Sequence, residues 1–234
     1  MELPEPSPTR TNRRSRSTPV SWVIFFIKVE ERNPDTESMR VIAGKYRSQP
    51  LASPKGRDTR PTSDRLRETL FNVIAPHVQD AVFADLFAGT GAVGIEAISR
   101  GARQVYFAEN AKVSLQTLRD NLERLAIGDQ ALVEPAGTMP LLRRLLQQKV
   151  TLDLIFLDPP YKDQLAYETV LRFLAEHSIL REDAIVVVEH SRRSSLPNLN
   201  LQLQPYRRIE QGEAALTFFR CNTKTASHPS ADGN

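Results

Sequence analysis

The chain of 234 residues has a single cysteine, Cys221, and four scattered histidines, His77, His177, His190 and His228. One cysteine closes no internal disulfide, and no Cys and His fall at the spacing of a structural zinc site. A metal is not expected. Long hydrophobic runs are missing as well. The stretch Trp22-Val23-Ile24-Phe25-Phe26-Ile27 is far below the roughly 20 residues that cross a bilayer. It runs into Lys28-Val29-Glu30-Glu31, not into the small residues of a leader cleavage site. These absences point to a reducing, cytoplasmic setting without a membrane. Nothing marks an obligate oligomer, and a monomer is expected.

Net charge is a modest +3, but its distribution is uneven. Between Met39 and Arg67 stand Arg40, Lys45, Arg47, Lys55, Arg57, Arg60, Arg65 and Arg67, against only Asp58 and Asp64. Such a cluster attracts a phosphate backbone. Arg40, Lys45, Arg47, Arg57, Arg65 and Arg67 are the candidate nucleic-acid contacts.

Four segments are expected. Residues 1–38 begin Pro-, Ser-, Thr- and Arg-rich and read as a disordered or dispensable extension, with Met39 as the start of patterned sequence. Residues 39–80 read as a hairpin (40–43 and 46–51 around Gly44-Lys45), a loop with Pro54, Gly56 and Pro61, and a helix. Thr62 or Ser63 caps that helix, which runs to about Ala75 with Leu66, Leu70, Val73 and Ile74 on one face. Residues 81–220 alternate strand and helix. Strands are expected at 81–86, 104–108, 131–134, 152–157 and 185–189, and helices at 92–100, 111–126, 139–148 and 164–177. A closing antiparallel pair is expected at 201–206 and 214–219, and residues 221–234 read as a tail. Short apolar strands between helices imply a doubly wound α/β fold with a largely parallel sheet.

Two loops at the carboxyl edge of that sheet carry chemistry. The first is Asp85-Leu86-Phe87-Ala88-Gly89-Thr90-Gly91-Ala92-Val93-Gly94. Gly89 and Gly91 permit positive φ and close approach of a ligand to the backbone, beside the free N–H groups of a helix start. Glu109, ending the second strand, suits the two hydroxyls of a ribose. The pattern fits a nicotinamide cofactor as well as S-adenosylmethionine. Asp85, however, suits an ammonium group better than a pyrophosphate. The second loop is Asp158-Pro159-Pro160-Tyr161. Two prolines stiffen the turn and leave its carbonyls as acceptors. An exocyclic base amine is a poor nucleophile because its lone pair is delocalised. Hydrogen bonds from its N–H groups to the Asp158 carboxylate and the Pro159 carbonyl would free that pair, and Tyr161 could stack on the base.

Together the D-L-F-A-G-T-G loop (Asp85–Gly91) and D-P-P-Y resemble the class I methyltransferases that act on base amino groups. Arg40 to Arg47 and Arg60-Pro61-Thr62-Ser63-Asp64-Arg65-Leu66-Arg67 resemble the opening of the RsmD family, bacterial 16S rRNA guanine-N2 methyltransferases. The similarity spans roughly Met39 to Arg220. It implies a seven-stranded class I fold, S-adenosylmethionine as donor, and a guanine of 16S rRNA in the small ribosomal subunit as target. It places Phe87, Ala88, Gly89, Thr90, Gly91 and Glu109 at the cofactor, and Asp158, Pro159 and Tyr161 at the base. Arg60 to Arg67, Thr62 among them, would face cofactor and RNA. One departure stands out. Where the family usually has Asp or Asn near the cofactor adenine, this chain has Gly137-Thr138, so backbone N–H groups would have to serve. The rival readings are a DNA adenine-N6 methyltransferase, an NAD-dependent oxidoreductase, and an RNA-binding module without activity. An intact D-P-P-Y argues against the last.

Overall fold

The computed structural model describes residues 39–53, 64–197 and 203–221. The expectations for residues 1–38, Arg57, Arg60, Thr62, the cap at Ser63 and the tail beyond Cys221 lie outside these residues.

The chain enters through α1 (Asp64–Ile74) and a 3₁₀ turn (Ala75–His77). It then alternates β1 (Val82–Leu86), α2 (Ala92–Ser99), β2 (Gln104–Ala108), α3 (Lys112–Arg124), β3 (Ala131–Glu134), α4 (Thr138–Gln147), β4 (Leu152–Leu157), α5 (Gln164–Glu176) and β5 (Leu180–Ser191). The strands β6 (Leu203–Gln211) and β7 (Ala214–Cys221) close it. One seven-stranded sheet has the order β3-β2-β1-β4-β5-β7-β6. The first five strands are parallel, and β7 runs antiparallel between β5 and β6. The architecture is the doubly wound seven-stranded one that the resemblance implies.

Why the strands are continuous apolar runs is plain from the two cores. Phe83, Phe107, Phe156 and Val187 pack on one face against Leu70, Phe71, Ile95 and Leu118 of α1, α2 and α3. The alternate residues Ala84, Leu86, Ile155 and Val186 pack on the other face against Leu141, Leu145, Val170 and Leu174 of α4 and α5. Both faces are covered, so neither set can be polar. Each large apolar side chain withdrawn in this way contributes about 1.5–3 kcal/mol.

Two expectations need correction. The segment 40–51 folds back on itself as expected, but it forms no extended strands: one antiparallel bridge joins Arg40 and Pro50, flanked by hydrogen bonds from the Val41, Ser48 and Leu51 N–H groups to the carbonyls of Gln49, Val41 and Met39. The middle of its backbone pairs with α2. Ile42 and Ala43 donate their N–H groups to the Glu96 carboxylate at 2.7 and 3.0 Å. Lys45 donates its N–H to the Ser99 carbonyl at 2.7 Å. Gly44 has φ +81°, and a Cβ there would lie 1.8 Å from that carbonyl oxygen, so no other residue fits. The second correction is Arg67, expected to face RNA. It is 0% exposed, 2.9 Å from Asp64 and 3.9 Å from Glu96, and it donates to the Arg40 carbonyl. Helical spacing puts it on the buried face with Leu70, Phe71 and Ile74. Arg40, Lys45, Arg47 and Arg65 are exposed.

Candidate active site

The strand order reverses between β1 and β4, and in such sheets the crevice outside the carboxyl ends opens at that point. Both loops singled out in the sequence flank it. Leu86 pairs with Leu157, and the Asp158 N–H donates to the Leu86 carbonyl at 3.3 Å, so the glycine loop and the double-proline turn leave the sheet side by side.

The glycine loop is shaped by three consecutive demands. Phe87, Gly89 and Gly91 all take positive φ, at 66°, 57° and 80°. Nothing among the described residues lies within 4 Å of a Cβ built on Gly89, so open space, not their packing, meets the backbone there. Gly94 serves packing instead: a Cβ on it would lie 2.2 Å from the Phe107 ring. Glu109 anchors the loop. Its Oε2 accepts the Gly89 N–H at 2.8 Å and its Oε1 accepts the Ala111 N–H at 2.7 Å. A carboxylate has lone pairs beyond these two, so the geometry still permits a diol.

The registers Leu86 to Ala108, Leu86 to Leu157 and Leu157 to Val188 set Glu109, Asp158 and Glu189 at one level, each just past its pairing partner. With Asp85 they give one carboxylate to each of the four adjacent strands β2, β1, β4 and β5. Alternation along the strands turns all four toward the face covered by α1 and α2. Their mutual repulsion adds to desolvation. Asp85, which accepts the Gly94 N–H at 2.8 Å, has its pKa pushed up to about 7, chiefly by burial and further by Glu109. Asp158 is pushed well above the usual carboxylate range by burial, then by Glu189, then by Asp85. Among the described residues no cation offsets either one.

The double-proline turn is held by two tyrosines. The Tyr161 hydroxyl donates to Glu189 Oε1 at 3.0 Å, while the residue remains 37% exposed. Desolvation and the Glu189 and Asp158 charges raise its pKa above the ordinary phenol value. The Tyr167 hydroxyl lies 3.2 Å from the Pro159 carbonyl and 3.1 Å from that of Glu189, sharing its one proton between them. The Pro159 carbonyl, expected to be free, therefore has one lone pair already engaged. Pro160 is exposed and its carbonyl accepts the Asp163 N–H at 2.7 Å.

Beyond Glu109, Gly137 precedes α4 with φ +95° and Thr138 opens the helix, buried. A Cβ on Gly137 would lie 3.3 Å from Asn110 Nδ2, so the Asn110 side chain lies against the position where a side chain is missing. Asn110, Tyr167 and Glu189 escaped the sequence reading. Glu189 ends an apolar run as Glu109 does, but its place beside Asp158 depends on strand order, which the sequence does not state.

A family model described as Conserved hypothetical protein 95 matches residues 39–220. The chain belongs to the RsmD family of methyltransferases. Within that family, the Ribosomal RNA small subunit methyltransferase D of Escherichia coli (strain K12) is 33% identical over 182 residues, 78% of this chain and 89% of that protein. The protein of the same name from Haemophilus influenzae is 36% identical over 163 residues, 69% of this chain and 83% of its own. The solved structure of the Escherichia coli protein yhhF superposes with TM-score 0.68 at 32% identity, covering 80% of this chain and 99% of that one. Like the other RsmD-family members, the chain has the class I methyltransferase fold. No helix among the described residues is long and apolar enough to cross a membrane, and no described cluster of His, Cys, Asp and Glu could hold a metal ion.

Proposed function

We propose that this chain, as a cytoplasmic monomer, transfers a methyl group from S-adenosylmethionine to the exocyclic N2 of a guanine in 16S rRNA, within the small ribosomal subunit or an assembly intermediate. The observation that carries this reading is the Asp158 turn beside the open glycine loop at the strand-order reversal. The relatives named for small-subunit rRNA methylation direct it to rRNA.

S-adenosylmethionine presents an electrophilic methyl on a sulfonium, a cation that a row of carboxylates favours and that a pyrophosphate is not. The open backbone at Gly89 gives such a ligand its approach, while Gly91, expected to do the same, packs against Leu118 and shapes the turn. Glu109 takes the ribose hydroxyls, and the stretch Gly137-Thr138 lies on the adenine side. The family resemblance assigns Arg60 and Thr62 to the cofactor as well. Asp158 accepts one N–H of the target amine and the remaining lone pair of Pro159 accepts the other, which localises the amine's own pair on nitrogen. Asp158, half-buried beside Glu189 and Asp85, receives the amine proton as the N–C bond forms. Tyr161 offers its ring face to the base, a contact worth about 1–3 kcal/mol. Holding the amine in line uses part of the roughly 7–11 kcal/mol available from orientation. Arg40, Lys45, Arg47, Arg57 and Arg65 track the phosphate backbone.

The test combines purified protein, labelled S-adenosylmethionine and small subunits from a strain lacking the gene. Labelled N2-methylguanosine in digested 16S rRNA is expected. Label in duplex DNA as N6-methyladenine, or none in either, would defeat the reading.

A further inference from the structure

Asp158-Pro159-Pro160-Tyr161 suits any exocyclic base amine, so it does not explain a choice of guanine. Glu189 lies beside it. β4 and β5 pair in parallel with Leu157 opposite Val188, so Asp158 and Glu189 are the next residues on neighbouring strands, about 5 Å apart at the backbone. Val187 packs on the α1–α2 face, and Glu189, two residues on, points the same way. Its carboxylate is reached by Tyr161, whose hydroxyl sits 3.0 Å from Oε1, and Tyr161 is the residue to which the proposed function gives the base. Tyr167 bridges the Glu189 carbonyl and that of Pro159, which ties together the two backbone segments that carry the carboxylates.

The chemistry of the two amines differs next door. Beside its N2 amine, guanine carries N1–H, a donor. Beside its N6 amine, adenine carries N1, a bare lone pair. One carboxylate and one carbonyl satisfy either amine. A second carboxylate at the adjoining position rewards a donor and repels a lone pair.

We infer that Glu189 accepts the N1–H of the target guanine while Asp158 and Pro159 hold its N2 amine, making Glu189 the residue that selects guanine over adenine. This rests on the guanine-N2 reading above. A carboxylate accepts several hydrogen bonds at once, so the bond from Tyr161 persists beside the new one.

The test uses small subunits reconstituted with 16S rRNA carrying either guanosine or 2-aminopurine at the methylated position. 2-Aminopurine keeps the 2-amine but has a lone pair at N1. The wild-type protein is expected to prefer guanosine by about 10- to 100-fold in kcat/KM. In Glu189→Gln an amide N–H can meet that lone pair, and the preference is expected to shrink at least about tenfold. Loss of the oxygen at C6 is common to both proteins and cancels in the comparison. S-adenosylhomocysteine affinity within about twofold of wild type would show that Glu189→Gln is folded. A preference unchanged in Glu189→Gln overturns the inference. So does a wild-type protein that methylates both bases equally, a result that needs no variant. Failure of the wild type to methylate the guanosine subunits would instead overturn the guanine-N2 reading itself.

Discussion

Glu96 on α2 is buried and Asp158 after β4 is half-buried, and the molecule treats them in opposite ways. Around Glu96 every demand of the charge is met. Two backbone N–H groups and Arg100 Nε donate to it, the last at 2.6 Å, and the Arg67 guanidinium lies 3.9 Å away. Around Asp158 the neighbours are further acids, Glu189 and Asp85, and its pKa rises. A compensated buried charge ties segments together. An uncompensated one keeps an unmet preference for a donor or a cation, which a ligand can satisfy. The same lesson separates Arg67 from the exposed Arg40, Lys45, Arg47 and Arg65, which share its charge and its stretch of sequence.

The contrast is broken most sharply by removing each carboxylate in turn. Asp158→Ala is expected to lower kcat by about 10²- to 10³-fold while cofactor affinity stays nearly unchanged, as single-turnover assays and calorimetry would read. Loss of cofactor binding in that variant would place Asp158 elsewhere in the site. Glu96→Ala is expected to do the reverse. It leaves buried Arg67 with Asp64 as its one remaining carboxylate among the described residues, and the N–H groups of Ile42 and Ala43 without an acceptor. A stability loss of about 3–5 kcal/mol in urea unfolding is the corresponding expectation. Glu96→Ala that unfolds like wild type would remove the distinction.

Smaller effects sharpen it. Asp85 has a pKa pushed up to about 7, mainly by burial. The raised value favours the protonated form in the fold. Asp85 therefore lends stability below the ordinary carboxylate range, and this is lost as pH climbs toward 7. A cationic ligand prefers the ionised form, so S-adenosylmethionine affinity should rise about tenfold between pH 6 and 8 and then level off. A flat profile by calorimetry would separate Asp85 from the ligand's charge. Smallest are the exposed cations. Lys45→Ala and Arg65→Ala should each reduce the salt slope of RNA binding by about 1, without touching cofactor affinity. A slope unchanged in both would move the RNA elsewhere.

Much of the fold was legible because the signals were local. β2, β3 and β4 fall where the apolar runs at 104–108, 131–134 and 152–157 place them. β5 runs longer than its apolar stretch because Leu180 pairs with Leu152 ahead of a register shift, a long-range event. The hairpin at 40–51 shrinks to a single bridge for the same reason: the Ile42 and Ala43 N–H groups go to Glu96, 54 and 53 residues away. Arg67 was the avoidable miss, since its spacing to Leu70, Phe71 and Ile74 is already helical in the sequence. In the site, the two loops announce themselves by glycine and proline. Glu189, Tyr167 and Asn110 do not, because their meaning comes from which strand lies beside which.

Asn121 on α3, fully buried, binds the Ala52 N–H at 2.7 Å, the Ala52 carbonyl at 3.2 Å and the Thr90 carbonyl at 3.0 Å. One amide side chain thus splices the entering segment to the glycine loop. The two should therefore open and close as a single cooperative patch: occupying the loop would slow deuterium uptake at the amides around Leu51 and Ala52, remote in sequence from anything the ligand touches.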